Sequence, residues 1–360
     1  LRRLLQVPEQ LMAMELNCPI PDDTSEVITL AHGGGGRMTQ KLIDELYVPL
    51  FSDETSSPAA HDGFVSQWGP ELLAFTTDSF VVSPRFFPGG DIGKLAVCGT
   101  VNDLAMCGAL PMQLSLGFIL EEGFALSELK RICQSIAATA KSAGVCIVTG
   151  DTKVVERGKA DGIFINTSGI GKVITHGSPS PKQIETGDSL IVSGDIGRHG
   201  MALIAQREGL AFELPIESDC APLHDAVRSL VEAGIELHCL RDCTRGGLAT
   251  ALIELAESSS LPLVLEESKV PVLEPTHAAC ELLGFDPLFV ANEGCFVAAV
   301  APSAADLAVT TLQAIGFINA ACVGKVEKKP AGTGRLVLQN ELGISRQLSR
   351  LSGEQLPRIC

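Results

Sequence analysis

Aromatic side chains are scarce in this 360-residue chain, which holds one Trp, one Tyr and 14 Phe. Hydrophobic residues still make up 46% of it. Its apolar material is therefore Ala, Val, Ile and Leu, with 36 glycines. That mixture points to α/β layers, and the length suits two domains. No run of 18 apolar residues occurs, which excludes a membrane-spanning helix. Positive charge is in deficit: 27 Lys and Arg face 43 Asp and Glu, for a net charge of -16. Such a chain repels nucleic acid and anionic membrane surfaces. An anionic small molecule then needs a local device, such as bound metal or backbone N–H groups.

The 12 cysteines include no Cys-x-x-Cys pair. Cys239 and Cys243 stand four apart, with no second pair at zinc-site spacing. Most, including Cys133, Cys146 and Cys280, lie in apolar contexts and read as small core residues. Residues 1–27 show no signal peptide, so a reducing cytoplasm is the expected compartment. The helical-looking opening LRRLLQVPEQLMAM is taken as a leader or extension.

Helical periodicity covers residues 41–55 and 128–143. In the second stretch Leu129, Ile132, Cys133, Ile136 and Ala140 share one face, and Gly144 supplies a stop. VCIVTGD and LLAFTTDS read as buried strands that end at Asp151 and Asp78. Asp91 caps a helix expected to run to Met106, which carries Asp103. The Pro/Ser/Gly-rich stretch 175–189 marks a boundary. A second α/β unit follows, with LVLEES, PLFVANEG and CFVAAV as strands and VGKVEKKPAGTGRLVLQ as a hairpin turning at Pro330–Gly334. The expected division is an extension over 1–27, domains over 28–175 and 186–342, and a mobile, irregular tail over 343–360. Fully extended, that tail spans roughly 60 Å.

Six constellations carry chemistry. His32–Gly36, HGGGG, lets backbone N–H groups approach a phosphate; a flexible turn before a helix explains it equally well. It is not a P-loop, since G-x-x-x-x-G-K-[ST] is missing from the chain. Asp78, Asp103 and Asp151 suit magnesium and its bridging of nucleotide phosphates, with Thr77, Asn102 and Thr152 as helpers. Singly, each Asp reads as a cap or turn residue. Lys153, two residues after Asp151, is either a surface lysine or a cation for a γ-phosphate or developing oxyanion. RDCTRGG, residues 241–247, is turn chemistry or an anion site at a helix start, with Cys243 a packed thiol. Glu293 follows the apolar run PLFV and reads either as a turn residue or as a partly buried base. Last comes Cys360, which cannot be prenylated because a CaaX cysteine stands fourth from the end. Arg358 lowers its pKa modestly, and a thiol on an arm gains effective concentration at a second site.

These motifs together resemble one family. AHGGGGR, TTDSFVVSPRFFPGGDIGKLAVCGTVNDLAMCGA, FILEEG, IVTGDTKVV, LRDCTRGGLA, FVANEG and terminal PRIC are similar to the HypE hydrogenase maturation factors, from about Ile28 to Cys360. The resemblance implies a PurM/AIR synthase-like fold of two α/β domains, paired with a second subunit, with ATP sites beside the homodimer interface. It implies that a HypF-like carbamoyltransferase loads Cys360, that ATP and Mg2+ drive dehydration to thiocyanate, and that a HypC–HypD-like complex takes the cyano group for iron. In that frame Asp78, Asp103 and Asp151 hold magnesium, and Gly33, Gly34, Gly35 and Gly36 cover the phosphates. Asn102 and Thr152 assist at the nucleotide. Lys153 positions the γ-phosphate and carbamoyl oxygen, and Glu293 takes the amide protons. Selenophosphate synthetase, a rival on the same fold, is expected to place Cys or selenocysteine by the Gly loop, which HGGGG lacks. Neither it nor thiamine-phosphate kinase accounts for PRIC. A mere carrier leaves the Asp set and Lys153 without a role.

Overall fold

The computed structural model describes residues 27–51, 61–210, 215–328, 334–351 and 359. Residues 1–26 of the expected extension 1–27, the turn at Pro330, Arg358 and Cys360 itself lie outside the described residues.

Two sheets organise the chain. The first unit opens with α1 (Arg37–Leu42) and α2 (Val48–Phe51), joined by a π-helical turn. Then come β1 (Phe64–Trp68), β2 (Glu71–Phe80), the short pair β3 (Phe86–Phe87) and β4 (Gly90–Asp91), α3 (Ile92–Met106), β5 (Ala109–Glu121), α4 (Leu126–Ser142), β6 (Cys146–Val155) and β7 (Ile163–Val173). The five-stranded sheet runs β1-β2-β7-β5-β6. Alternation decides its faces. In β2, Ala74, Thr76 and Phe80 are buried while Phe75 and Thr77 are exposed. The helices cover the buried set, and the exposed set points away from them.

The α3 helix starts as expected. The Asp91 carboxylate accepts from the N–H groups of Gly93 and Lys94. Its residues are buried almost all round, because β2, β5 and β7 flank it on one side and α6 and β9 of the second unit on the other. Gly99 lets it approach the Phe80 ring, where a Cβ would come within 2.8 Å of ring carbons.

The second unit comprises β8 (Ser189–Val192), α5 (Arg198–Arg207), α6 (His224–Glu232), β9 (Leu237–Asp242), α7 (Gly247–Ser259), β10 (Leu263–Glu266), α8 (Glu274–Leu283), β11 (Phe296–Val300), α9 (Ala305–Ala314), β12 (Ala321–Val326), β13 (Leu336–Gln339) and β14 (Ser345–Leu348). Its sheet runs β14-β13-β10-β12-β8-β11-β9.

Four expectations change here. VGKVEKKPAGTGRLVLQ is no hairpin: β10 separates β12 from β13, antiparallel to one and parallel to the other. Both runs bury alternate residues, and that pattern cannot say which strand is the neighbour. PLFVANEG is a 3-10 turn, Pro287–Phe289, followed by loop, because Asp286 caps it by accepting from the Leu288 N–H. The 343–360 stretch is not wholly irregular, since β14 pairs antiparallel with β13. Cys280 is buried as expected, but Cys133 and Cys146 are exposed. Cys133 lies off the stripe that Ile132, Ile136 and Ala140 bury, and Cys146 opens the edge strand β6.

Candidate functional site

Between the two units lies a cavity of about 760 Å³. That is ample for a nucleotide. Carboxylates dominate its lining: Asp62, Asp78, Asp103, Asp242 and Glu293. They arrive from five places in the chain. Asp78 comes from β2 and Asp103 from α3, with Asp62 just before β1, Asp242 at the end of β9 and Glu293 on the loop before β11.

Such crowding is costly unless some carboxyls stay neutral. Burial raises the pKa of Asp103 well above the usual carboxylate range, and Asp242, Asp62 and Asp78 push it further; the Thr76 hydroxyl, which donates to Oδ2 at 2.7 Å, opposes this. Asp242 is pushed up to about 7, first by burial and then by Asp62, with Arg241 opposing. Burial lifts Asp78 too, against the pull of Arg245, whose Nη2 stands 3.9 Å from Oδ1. Glu293 is 3% exposed, and burial, Asp242, Asp219 and Asp78 raise it well above its ordinary value. Among the described residues, two buried carboxylate oxygens of this lining, Oδ2 of Asp62 and Oε1 of Glu293, have no hydrogen-bond partner, though His61 Nδ1 stands 3.5 Å from the first. An unpaired buried acceptor costs about 1–3 kcal/mol, so both are poised for a cation or a donor from a ligand.

Basic side chains offset part of the negative charge. Arg241 pairs with Asp62 at 2.7 Å and Glu254 at 2.6 Å. Arg350, beyond β14, reaches Glu254 at 3.1 Å and Glu257 at 2.7 Å. The glycine loop folds over this wall. Gly35 lines the cavity at φ +74°, where only glycine is comfortable, and its N–H bonds Thr39 Oγ1 at 3.0 Å. Arg245 donates to the Gly33 carbonyl at 3.1 Å. Gly36 precedes the first residue of α1, and Gly34 lies within the same loop.

Glu293 is no simple turn residue. Its N–H and that of Gly294 donate to the Asp219 carboxylate at 3.1 and 3.0 Å. Its carbonyl accepts from Asn102 Nδ2 at 3.3 Å and from the Ala221 N–H at 3.3 Å. Asn102 also accepts from the Leu223 N–H at 2.8 Å. Asn102 therefore clamps the units together, with its amide bonded to protein and outside the cavity lining.

The structure brings Gly35, Asp78, Asp103 and Glu293 together, but it leaves Asp151, Thr152 and Lys153 outside the cavity lining. They sit on β6, an exposed edge strand. Lys153 Nζ pairs with Asp151 Oδ2 at 2.5 Å, both side chains about two-thirds exposed. That pairing, with the Thr152 N–H at 2.8 Å, lowers the Asp151 pKa. A strand carries successive side chains to opposite faces, so a short GDTK run cannot place all three in one site. Among the described residues no group of three His, Cys, Asp or Glu side chains is close enough to hold a metal by itself. Asp62 and Asp242 are the residues that reading the motifs missed. The signal for Asp242 was present, since it ends a strand as Asp78 was expected to; Asp62 gave none.

Comparison with known proteins follows the same outline. Residues 60–173 match the N-terminal domain of AIR synthase related proteins, and residues 185–337 the C-terminal domain. A carbamoyl dehydratase HypE from Azotobacter vinelandii is 47% identical over 335 residues, covering 92% of this chain and 97% of that protein. A solved HypE in complex with ATP is 44% identical, with a TM-score of 0.78, covering 93% of this chain and 100% of that one. A HypE–HypF complex gives 44% identity and a TM-score of 0.79, over 86% of this chain and 99% of that one. Two halves of the chain, one carboxylate-lined cavity between them and this degree of identity lead to one conclusion: the chain belongs to the HypE family, built on the AIR synthase related fold.

Proposed function

We propose that this protein uses ATP to dehydrate a carbamoyl group carried as a thiocarboxamide on Cys360, giving the thiocyanate that supplies cyanide to the iron of a [NiFe]-hydrogenase. The observation that carries the reading is the buried Glu293, with an unpartnered oxygen, facing a carboxylate-lined cavity in a chain 47% identical to a carbamoyl dehydratase.

The chemistry follows from the poor leaving ability of an amide oxygen. Transfer of the γ-phosphoryl group of ATP to that oxygen, with loss of one N–H proton, gives an S–C(=N–H)–O–phosphate. Loss of the second N–H proton then forms the C≡N bond as inorganic phosphate departs. A raised pKa makes Glu293, once ionised, the stronger acceptor for the first proton, and the departing phosphate can carry away the second. Phosphoryl transfer itself needs charge neutralisation more than covalent help. The Gly35 turn brings backbone close to the cavity and suits it to covering phosphates.

Magnesium fits the donor set. It takes one or two carboxylates and completes its shell with phosphate oxygens and water, so a preformed three-residue cage is not required. Asp78, Asp103 and Asp242 would hold it, with the orphaned Asp62 oxygen beside them. Bound there, it would neutralise phosphate charge.

A second copy of the chain supplies what one copy lacks. The outer face of the first sheet presents Phe64, Phe75, Ile119 and Ile170, each more than 40% exposed. Asp151 and Lys153 share that face, opposite Gly117 and Ile119 in the β5–β6 register. Thr77 lies on the same face and also lines the cavity, so the cavity opens toward the surface a partner would cover. In the homodimer, the partner's Lys153 and Asp151 reach the nucleotide, which keeps their roles without moving β6. A HypF-like carbamoyltransferase loads Cys360, and a HypC–HypD-like iron complex receives the cyano group; both meet the protein in the cytoplasm.

Mass spectrometry of the C-terminal peptide tests this. After incubation with the carbamoyltransferase, carbamoyl phosphate and ATP, Cys360 gains about 43 Da and then about 25 Da, the masses of carbamoyl and cyano groups on a thiol. In Cys360→Ala both adducts vanish while ATP binding survives. Adducts on another residue would overturn the reading.

A further inference from the structure

The C-terminal segment meets the core at Ile359. This residue is 5% exposed and joins the buried cluster that holds Val82, Phe87, Met201 and Cys220. Its carbonyl lies 2.7 Å from Nε2 of His199, a fully buried ring. A carbonyl can only accept, so Nε2 carries the proton. Across the ring, Nδ1 lies 2.8 Å from Ser218 Oγ. That hydroxyl already accepts from the Cys220 N–H at 3.1 Å, which leaves its own proton for Nδ1. One neutral tautomer therefore satisfies every partner. Burial favours the same neutral form and pushes the pKa down to about 4. Phe87 meets the ring edge-on, with centroids 5.5 Å apart.

A buried histidine is usually satisfied by groups of the folded core around it. Here one of its two partners is the second-to-last residue of the chain. The ring is also tied to the loop that carries Glu293. Gly197, just before α5, donates to Asn292 Oδ1 at 2.6 Å, and Gly200 donates to the Ala291 carbonyl at 3.1 Å. On the Ser218 side, Asp219 accepts from Glu293 and Gly294, and the Ala221 N–H donates to the Glu293 carbonyl. The two segments that hold His199 in place are those that hold the base.

We infer that His199 is a positioning residue for dehydration: its Nε2–H seats the Ile359 carbonyl, the group that links Cys360 to the chain, and so presents the S-carbamoyl thiol to the site of Glu293. This rests on Cys360 as the carrier. Ser218 acts through the ring by keeping the proton on Nε2.

Two substitutions separate positioning from packing. His199→Asn keeps a polar atom near Nδ1 and loses the donor at Nε2; His199→Gln restores a donor near Nε2. In single-turnover dehydration of preloaded full-length protein, His199→Asn slows the reaction about tenfold, the worth of one buried hydrogen bond, and His199→Gln recovers most of it. Carbamoyl loading and ATP affinity stay unchanged in both. In the unloaded protein, peptide-resolved alkylation of Cys360 rises by a similar factor in His199→Asn. The exposed Cys133 and Cys146 serve as internal controls and keep their rates. Wild-type dehydration and wild-type Cys360 alkylation in His199→Asn overturn the inference. So does equal slowing of both variants with Cys360 alkylation unmoved, which makes the ring a packing residue. If wild-type Cys360 takes up no carbamoyl group, the carrier reading fails, and the alkylation arm still decides the seat.

Discussion

Asp242→Asn should stabilise the nucleotide-free protein, and only above acidic pH. The wild-type carboxyl is buried among Asp62 and Asp78, and its pKa rises from 3.8 to about 7. A raised acid pKa means that the folded state holds its proton where the unfolded chain has lost it. The associated stability is complete below pH 4 and is lost as pH climbs to about 7. At about 1.4 kcal/mol per unit, the loss approaches ~4 kcal/mol by pH 8. Asparagine never ionises and escapes it. The attraction of Arg241 and the bond from Thr244 Oγ1, which lies 3.2 Å from Oδ1, already hold that pKa down, so the loss is net of both. The net gain is then about 4 kcal/mol at pH 8, or about 5 °C in melting temperature for a chain of this length, falling to about 1 kcal/mol near pH 4.5. Melting curves of both proteins without nucleotide, from pH 4.5 to pH 8, test it. A pH-independent difference, or a less stable variant at pH 8, refutes the idea that burial and neighbouring carboxylates make an ionised Asp242 costly in this cavity. The same variant should lose MgATP affinity, since the charge that destabilises the empty site is the charge that would hold the metal.

Removal of the ammonium in Lys153→Ala should leave carbamoyl loading intact and slow dehydration by about 10²–10³-fold, so the carbamoyl adduct accumulates on Cys360; normal turnover to the cyano adduct would remove Lys153 from the chemistry. On the outer sheet face, Ile119→Asp should convert dimer to monomer in sedimentation and abolish ATP-dependent dehydration, with mixed Ile119→Asp and Lys153→Ala proteins failing to complement. A dimer that survives the new charge would place the interface elsewhere.

Individual residues show how far the sequence could be read. The helix capped by Asp91 was legible because a cap and its stop are local chemistry, settled within one turn of backbone. The strands that carry Asp78 and Asp151 were legible from their apolar runs, but β2 runs on to Phe80 and β6 to Val155, β6 is exposed rather than buried, and the two carboxylates part company in space. Asp78 is drawn into the cavity by burial against α3, while β6 is an edge strand whose one neighbour is β5. The supposed hairpin around Pro330 failed for a related reason: β10, some 60 residues earlier in the chain, took the place between its arms. Asp62 could not be found at all, since no pattern around it announces a charge facing Arg241.

Composition and periodicity by themselves determined the class of this protein, two α/β units in an acidic chain, and the resemblance of its motifs pointed to the family. These are properties of residues and their near neighbours. Only the tertiary structure decided which carboxylates share a cavity, that Asn102 is spent on holding the units together, and that His199 grips the carbonyl of Ile359 from 160 positions away. Contacts across the sheets depend on strand order and on what the core must bury, and neither is written in any local stretch.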